Sequence, residues 1–137
     1  MDVIGGRPVD GDVDVARIAA RVRTALEDAD LDTFAELLDP HVTWGAPGDP
    51  SLPCQNRNQV LDWYRQGRAD GRRARVQDVT CHGDKILVAM TVTDRHPSPA
   101  AAEHDRWQVL TVADGRIVDI RGYDDAASAA TAAGAVG

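Results

Sequence analysis

The sequence predicts an α+β domain in which helices come first and a sheet follows. Two observations carry this. Apolar residues recur at three- and four-residue spacing in the first half of the chain, and at two-residue spacing from Arg72 onward. Short turn signals separate the β-rich stretches, so consecutive strands should pair antiparallel and three helices should cover one face. At 137 residues, with 43% hydrophobic and 27% charged residues, the chain suits one globular domain with a real core.

The first helix is expected over Asp14–Asp28. Val15, Ile18, Val22, Ala25 and Leu26 form its apolar stripe, and Arg17, Arg21 and Arg23 lie mostly opposite. A short second helix follows, with Asp32 or Thr33 as cap, Phe34, Leu37 and Leu38 as its buried side, and Pro40 as its end. The stretch DPHVTWGAPGDPSLPC then leads to NRNQVLDWYRQG. There Asn56 or Asn58 can cap a third helix, Val60, Leu61, Trp63 and Tyr64 supply apolar surface, and Gly67 and Gly71 stop it. ARVQDVTCH, KILVAMTVTDRH, RWQVLTV and RIVDIRGY read as strands. His82-Gly83-Asp84, PSPAAAE and Ala113-Asp114-Gly115 separate them, and Asp-Gly is a strong hairpin signal. The alanine-rich end DDAASAATAAGAVG either continues as a short helix or frays.

Charge and motifs exclude several functions. A net charge of −7 disfavours a nucleic-acid partner, and the run Arg65, Arg68, Arg72, Arg73, Arg75 reads first as a solvated helix end and strand start. No apolar run is long enough for a membrane span, and MDVIGGRPVDGDVD lacks the layout of a signal peptide, so the expected location is the cytoplasm. Cys54 and Cys81 form no CxxC pattern and are expected as free thiols. His41 and His82 are expected in exposed turns. His96 and His104 flank PSPAAAE near Asp94, Glu103 and Asp105, but no zinc-type spacing occurs, so no metal and no cofactor are expected. Neither a nucleophile elbow nor a glycine-rich phosphate loop is present.

The order helix, short helix, DPHVTW, Gly/Pro loop, helix, then strands ending in DGRIVDIRGYDD resembles the nuclear transport factor 2-like superfamily, and its SnoaL-like branch in style. DLDTFAELL and VLDWYR share that flavour. The resemblance implies a cone: a curved mixed or antiparallel sheet packed against three N-terminal helices, enclosing an apolar cavity. It also implies dimerisation through the sheet. On this basis residues 1–13 are expected to be a flexible segment, 14–125 the cone domain and 126–137 a tail. Fold alone leaves the activity open, since members include isomerases, cyclases, hydrolases and binders.

Carrying ketosteroid isomerase positions across, its general base falls at Ala46 and its two oxyanion donors at Val22 and Trp107. Alanine and valine can neither move a proton nor hold an enolate, so that reaction is rejected. For limonene epoxide hydrolase, Asp94 matches one aspartate, but the arginine falls at Val92 and the second aspartate at Gly122. The same carry-over turns Val88, Met90, Val92 and Asp94 inward, then Trp107 and Val109, then Ile120, Gly122 and Asp124. Val22, Leu26, Trp44, Ala46 and Trp63 are expected to complete an apolar wall for a small apolar or aromatic molecule. The alternative is that these side chains fill the core. Asp94 and Asp124 are the acid–base candidates for isomerase, cyclase, lyase or hydrolase chemistry, unless both stand in solvent or pair with Arg95, Arg106 or Arg121. A non-catalytic binding or dimerisation module is the competing class.

Overall fold

A computed structural model describes residues 10–28, 30–45, 55–69, 71, 73–93 and 103–134. Helix α1 (Asp10–Asp28) buries Val15, Ile18, Ala19, Val22 and Ala25. It starts four residues before Asp14, because its first turn precedes the apolar stripe by which periodicity detects it.

Helix α2 (Leu31–Leu37) is capped by Asp30, not by Asp32 or Thr33. The Asp30 carboxylate accepts from the Thr33 amide at 3.1 Å and from the Thr33 hydroxyl at 2.6 Å, so an orphan amide of the first turn is paired. These bonds hold the Asp30 carboxyl below its ordinary range. The helix ends at Leu37, and Leu38 is already extended in β1 (Leu38–Gly45). Pro40 therefore lies inside a strand. That is tolerated because β1 is an edge strand whose pairing is irregular between Leu38 and Thr43. Helix α3 (Arg57–Ala69) is capped by Asn56, whose side chain accepts from the Gln59 amide at 2.9 Å.

β2 (Arg73–His82), β3 (Lys85–Thr93), β4 (Glu103–Ala113) and β5 (Arg116–Tyr123) complete a mixed sheet ordered β1-β5-β4-β3-β2. Only the β1–β5 pair is parallel. The β4–β5 turn has Asp114 at φ 54° and Gly115 at φ 78°, the left-handed pair a tight hairpin turn requires. Register slips at Gln77 in β2 and at Val118 in β5 are bulges, which bend the strands and curve the sheet. The second bulge lets Ile117 and Ile120 both point into the core although they are three residues apart.

The sheet has two differently covered faces. The inner face carries Val76, Ile86, Val88, Met90, Leu110, Val112 and Ile120, and packs under α1–α3 with Phe34, Leu37 and Val60. On the outer face Val109, with Trp107, Tyr123 and Leu87, packs against Ala129 and Ala133. Those alanines belong to α4 (Ala126–Ala133), formed by the alanine-rich tail. Asp125 caps α4 by accepting from the Ser128 amide at 2.7 Å, and Gly134 ends it at φ 78°.

Candidate functional site

Tyr64 stands at the centre of the inner face. On α3 it follows Val60 and Leu61 and precedes Gly67 at helical spacing, which turns it toward the sheet. Its ring meets Phe34 edge-on at 5.1 Å between centroids and tilts against Trp44 at 5.0 Å. Trp63, one residue earlier, lies on the flank of α3. It is 51% exposed and touches Trp44 edge-on at 5.9 Å. Trp44, Trp63 and Tyr64 thus form a continuous aromatic wall from core to solvent.

Two polar side chains of β4 face this wall. Gln108 pairs across the sheet with Val88 on one side and Gly122 on the other, and is only 8% exposed. Its one partner among the described residues is the Tyr64 hydroxyl, at 3.5 Å, which is a long hydrogen bond. Arg106 pairs in register with Met90 and is half-buried. Its guanidinium leans over Gly122, where an added Cβ would stand 3.6 Å from Nη2, and its Nε lies 3.3 Å from the Asp124 carboxylate. The guanidinium thus lies over Gly122, whose strand partner Gln108 bonds the Tyr64 phenol, so the three polar groups share one region of the inner face. They offer hydrogen-bond donors to an oxygen-bearing ligand held against an aromatic wall.

The placement of the expected site residues divides in three. Val22, Leu26, Trp44, Met90, Val92 and Ile120 belong to the inner-face cluster. Trp107 and Val109 do not: they lie on the outer face beneath α4, which corrects the inward orientation expected of them. The cause is register. Met90 and Val88 stand opposite Arg106 and Gln108, and paired residues share a face, so the inward set of β4 is His104, Arg106, Gln108, Leu110 and Val112. Trp107 thus never meets Trp44 and Trp63. Asp105 shares the Trp107 face and accepts from the Thr91 hydroxyl at 3.1 Å on the outer side, away from the aromatic wall. Ala46, Asp94, Cys54 and His96 lie outside the described residues.

Asp124 stands at the rim with its side chain 85% exposed and paired to Arg106, not enclosed by apolar groups. Among the described residues no group of three His, Cys, Asp or Glu side chains could hold a metal, and no helix is long and apolar enough to cross a membrane. Cys81 is a free thiol whose pKa burial raises. His41 lies exposed in β1, whereas His82 is half-buried at the end of β2, its Nε2 2.9 Å from the Thr80 hydroxyl, and not in an exposed turn. Of the arginine run, Arg65 pairs with Asp62 at 3.2 Å, and Arg73 and Arg75 are exposed on β2. Tyr64 in its central role and Gln108 were not anticipated, and Arg106 was expected only as an ion-pair partner of Asp94 or Asp124, which it is for Asp124. The Val60–Tyr64–Gly67 spacing was the available sign for the first. Gln108 and the inward orientation of Arg106 required the strand register.

Three helices over one face of a curved, unclosed mixed sheet define the cone architecture of the nuclear transport factor 2-like superfamily. The chain belongs to the SnoaL-like domain family, whose model matches residues 19–120. Solved structures agree in fold. Bal32a from a soil-derived mobile gene cassette is 18% identical, with a TM-score of 0.68 over 83% of this chain and 91% of that one. A candidate polyketide cyclase from Sinorhizobium meliloti is 23% identical, with a TM-score of 0.62 over 81% and 97%. An epoxide hydrolase of limonene-epoxide-hydrolase-like type from M. tuberculosis is 21% identical, with a TM-score of 0.63 over 82% and 79%. No curated protein matches the chain by sequence.

Proposed function

We propose that the protein binds a small apolar or aromatic molecule on the inner face of its sheet, between the Trp44–Tyr64–Trp63 wall and the Gln108–Gly122 surface. The observation that carries this reading is Gln108. A buried primary amide has two N–H donors and a carbonyl, yet among the described residues its one partner is the Tyr64 hydroxyl, at 3.5 Å. An amide so poorly paired costs stability unless something else uses it, and a ligand oxygen is the fitting partner. Aromatic side chains beside a few convergent polar groups are what a small-molecule site requires.

Calorimetric titration with 2-naphthamide, a neutral aromatic probe with a polar head, tests the reading. Binding is expected in the wild type, and Tyr64→Phe or Gln108→Leu should weaken it about fivefold, the equivalent of one neutral hydrogen bond. Equal affinity in all three proteins removes the site.

The enzyme reading assigns acid–base roles to Asp94 and Asp124. For Asp124 the exposed pairing with Arg106 is the alternative arrangement, so this reading leans on Asp94. A substrate turned over equally well by the wild type and by an Asp94→Asn, Asp124→Asn double variant would eliminate it. Homodimerisation through the sheet is proposed for the part of the outer face that α4 leaves open, on β2. A monomer mass by light scattering at micromolar concentration would refute it.

A further inference from the structure

The geometry points to a ligand that carries a carboxylate as well as an apolar or aromatic body, with Arg106 as the residue that reads the charge; this rests on the inner-face binding reading. Arg106 is the only arginine or lysine that β4 turns toward the inner face among the described residues, with the exposed His104 further out, and it occupies the position next to buried Gln108 on that face. Gly122 makes room for it. With no side chain on β5 there, the guanidinium lies over the backbone directly across from Gln108. A carboxylate placed over Gly122 would reach guanidinium N–H groups and the Gln108 amide together, a fork geometry that arginine offers and lysine does not.

Asp124 now occupies that guanidinium, through Nε at 3.3 Å. It does so from a position 85% exposed, as part of an exposed ion pair of the kind that contributes little to stability. Displacing it returns a carboxylate to water, where it is well solvated. The incoming carboxylate takes its place while its apolar body covers Trp44 and the exposed edge of Trp63. Asp124 is then a stand-in for the ligand head group. It keeps Arg106 paired in the empty protein and competes weakly with the ligand.

The test compares 2-naphthoate with its neutral isostere 2-naphthamide on the folded full-length chain. 2-Naphthoate should bind roughly tenfold more tightly at low salt, as a charge-assisted hydrogen bond implies, and this advantage should shrink with added sodium chloride. Arg106→Gln should abolish the preference for 2-naphthoate over 2-naphthamide, so that the ratio of the two affinities falls to about one. Asp124→Asn should tighten 2-naphthoate binding by removing the competitor. Equal affinities in the wild type, or a preference that survives Arg106→Gln, would overturn the inference while leaving the binding site intact. Failure of both probes to bind would overturn the binding reading and this inference with it.

Discussion

On its inner side β4 presents Arg106, Gln108 and Leu110; on its outer side it presents Trp107 and Val109, closed by the alanines of α4. The two sides use aromatic surface in opposite ways. Outside, Trp107 is packed by a helix whose small residues allow close approach, and the buried polar residue of that face, Thr91, is hydrogen-bonded to both Gln77 and Asp105. Inside, Trp44 and Trp63 line a wall that reaches solvent and continues through Tyr64 to an amide with one long hydrogen bond among the described residues. Aromatic content alone therefore does not mark a site. What marks it is an aromatic wall opposed to polar groups whose hydrogen-bonding capacity is unspent.

The largest effect that sharpens this contrast is expected in the inner core. Phe34→Ala should cost about 3–5 kcal/mol in a denaturant titration, because Phe34 is almost wholly buried and supports Tyr64 from beneath. On the outer face, Ala129→Glu should force a charge under α4 and undock that helix. Amide exchange should then show lost protection over residues 126–133 while the sheet stays protected; uniform loss of protection would show that the two faces form one cooperative unit.

Gln108→Leu should separate stability from binding. It removes a poorly paired buried amide and should raise the melting temperature by a few degrees while weakening 2-naphthamide. A fall in melting temperature would mean that Gln108 serves the fold.

The smallest effect concerns Asp30. Its folded pKa is lowered by the Thr33 bonds, so the stabilisation is present above the unfolded value of about 3.9 and is lost as pH falls through the lower folded value. Asp30→Ala should therefore be less stable than wild type at pH 7 and approach it at strongly acid pH. A difference independent of pH would contradict this.

Most of the fold was legible in the sequence because periodicity and turn chemistry are local. The α1 stripe, the Asp-Gly hairpin and the four later strands all declare themselves within a few residues. The misread features depend on partners far away. The Asp30 cap was missed because three acidic or hydroxyl residues lie close together, and only the geometry of the first turn chooses among them. Alternation told that Trp107 and Val109 share a face, but not which face. That is decided by pairing with β3, and a one-residue error exchanges the two sides of the strand. The same error hid Gln108 and the inward orientation of Arg106. Trp63 was expected on the wall from the family resemblance, whereas helical spacing from Val60 turns Tyr64 inward.

The three tryptophans provide the most direct test of the central claim, because two lie on the inner face and one on the outer. In a nitrogen-15 correlation spectrum each indole N–H gives one resolved signal, assignable by single Trp→Phe substitutions. Titration with 2-naphthamide should shift the Trp44 and Trp63 indole signals and leave Trp107 in place. Movement of Trp107 with Trp44 and Trp63 unchanged would contradict the account, placing the binding surface on the outer face of the sheet.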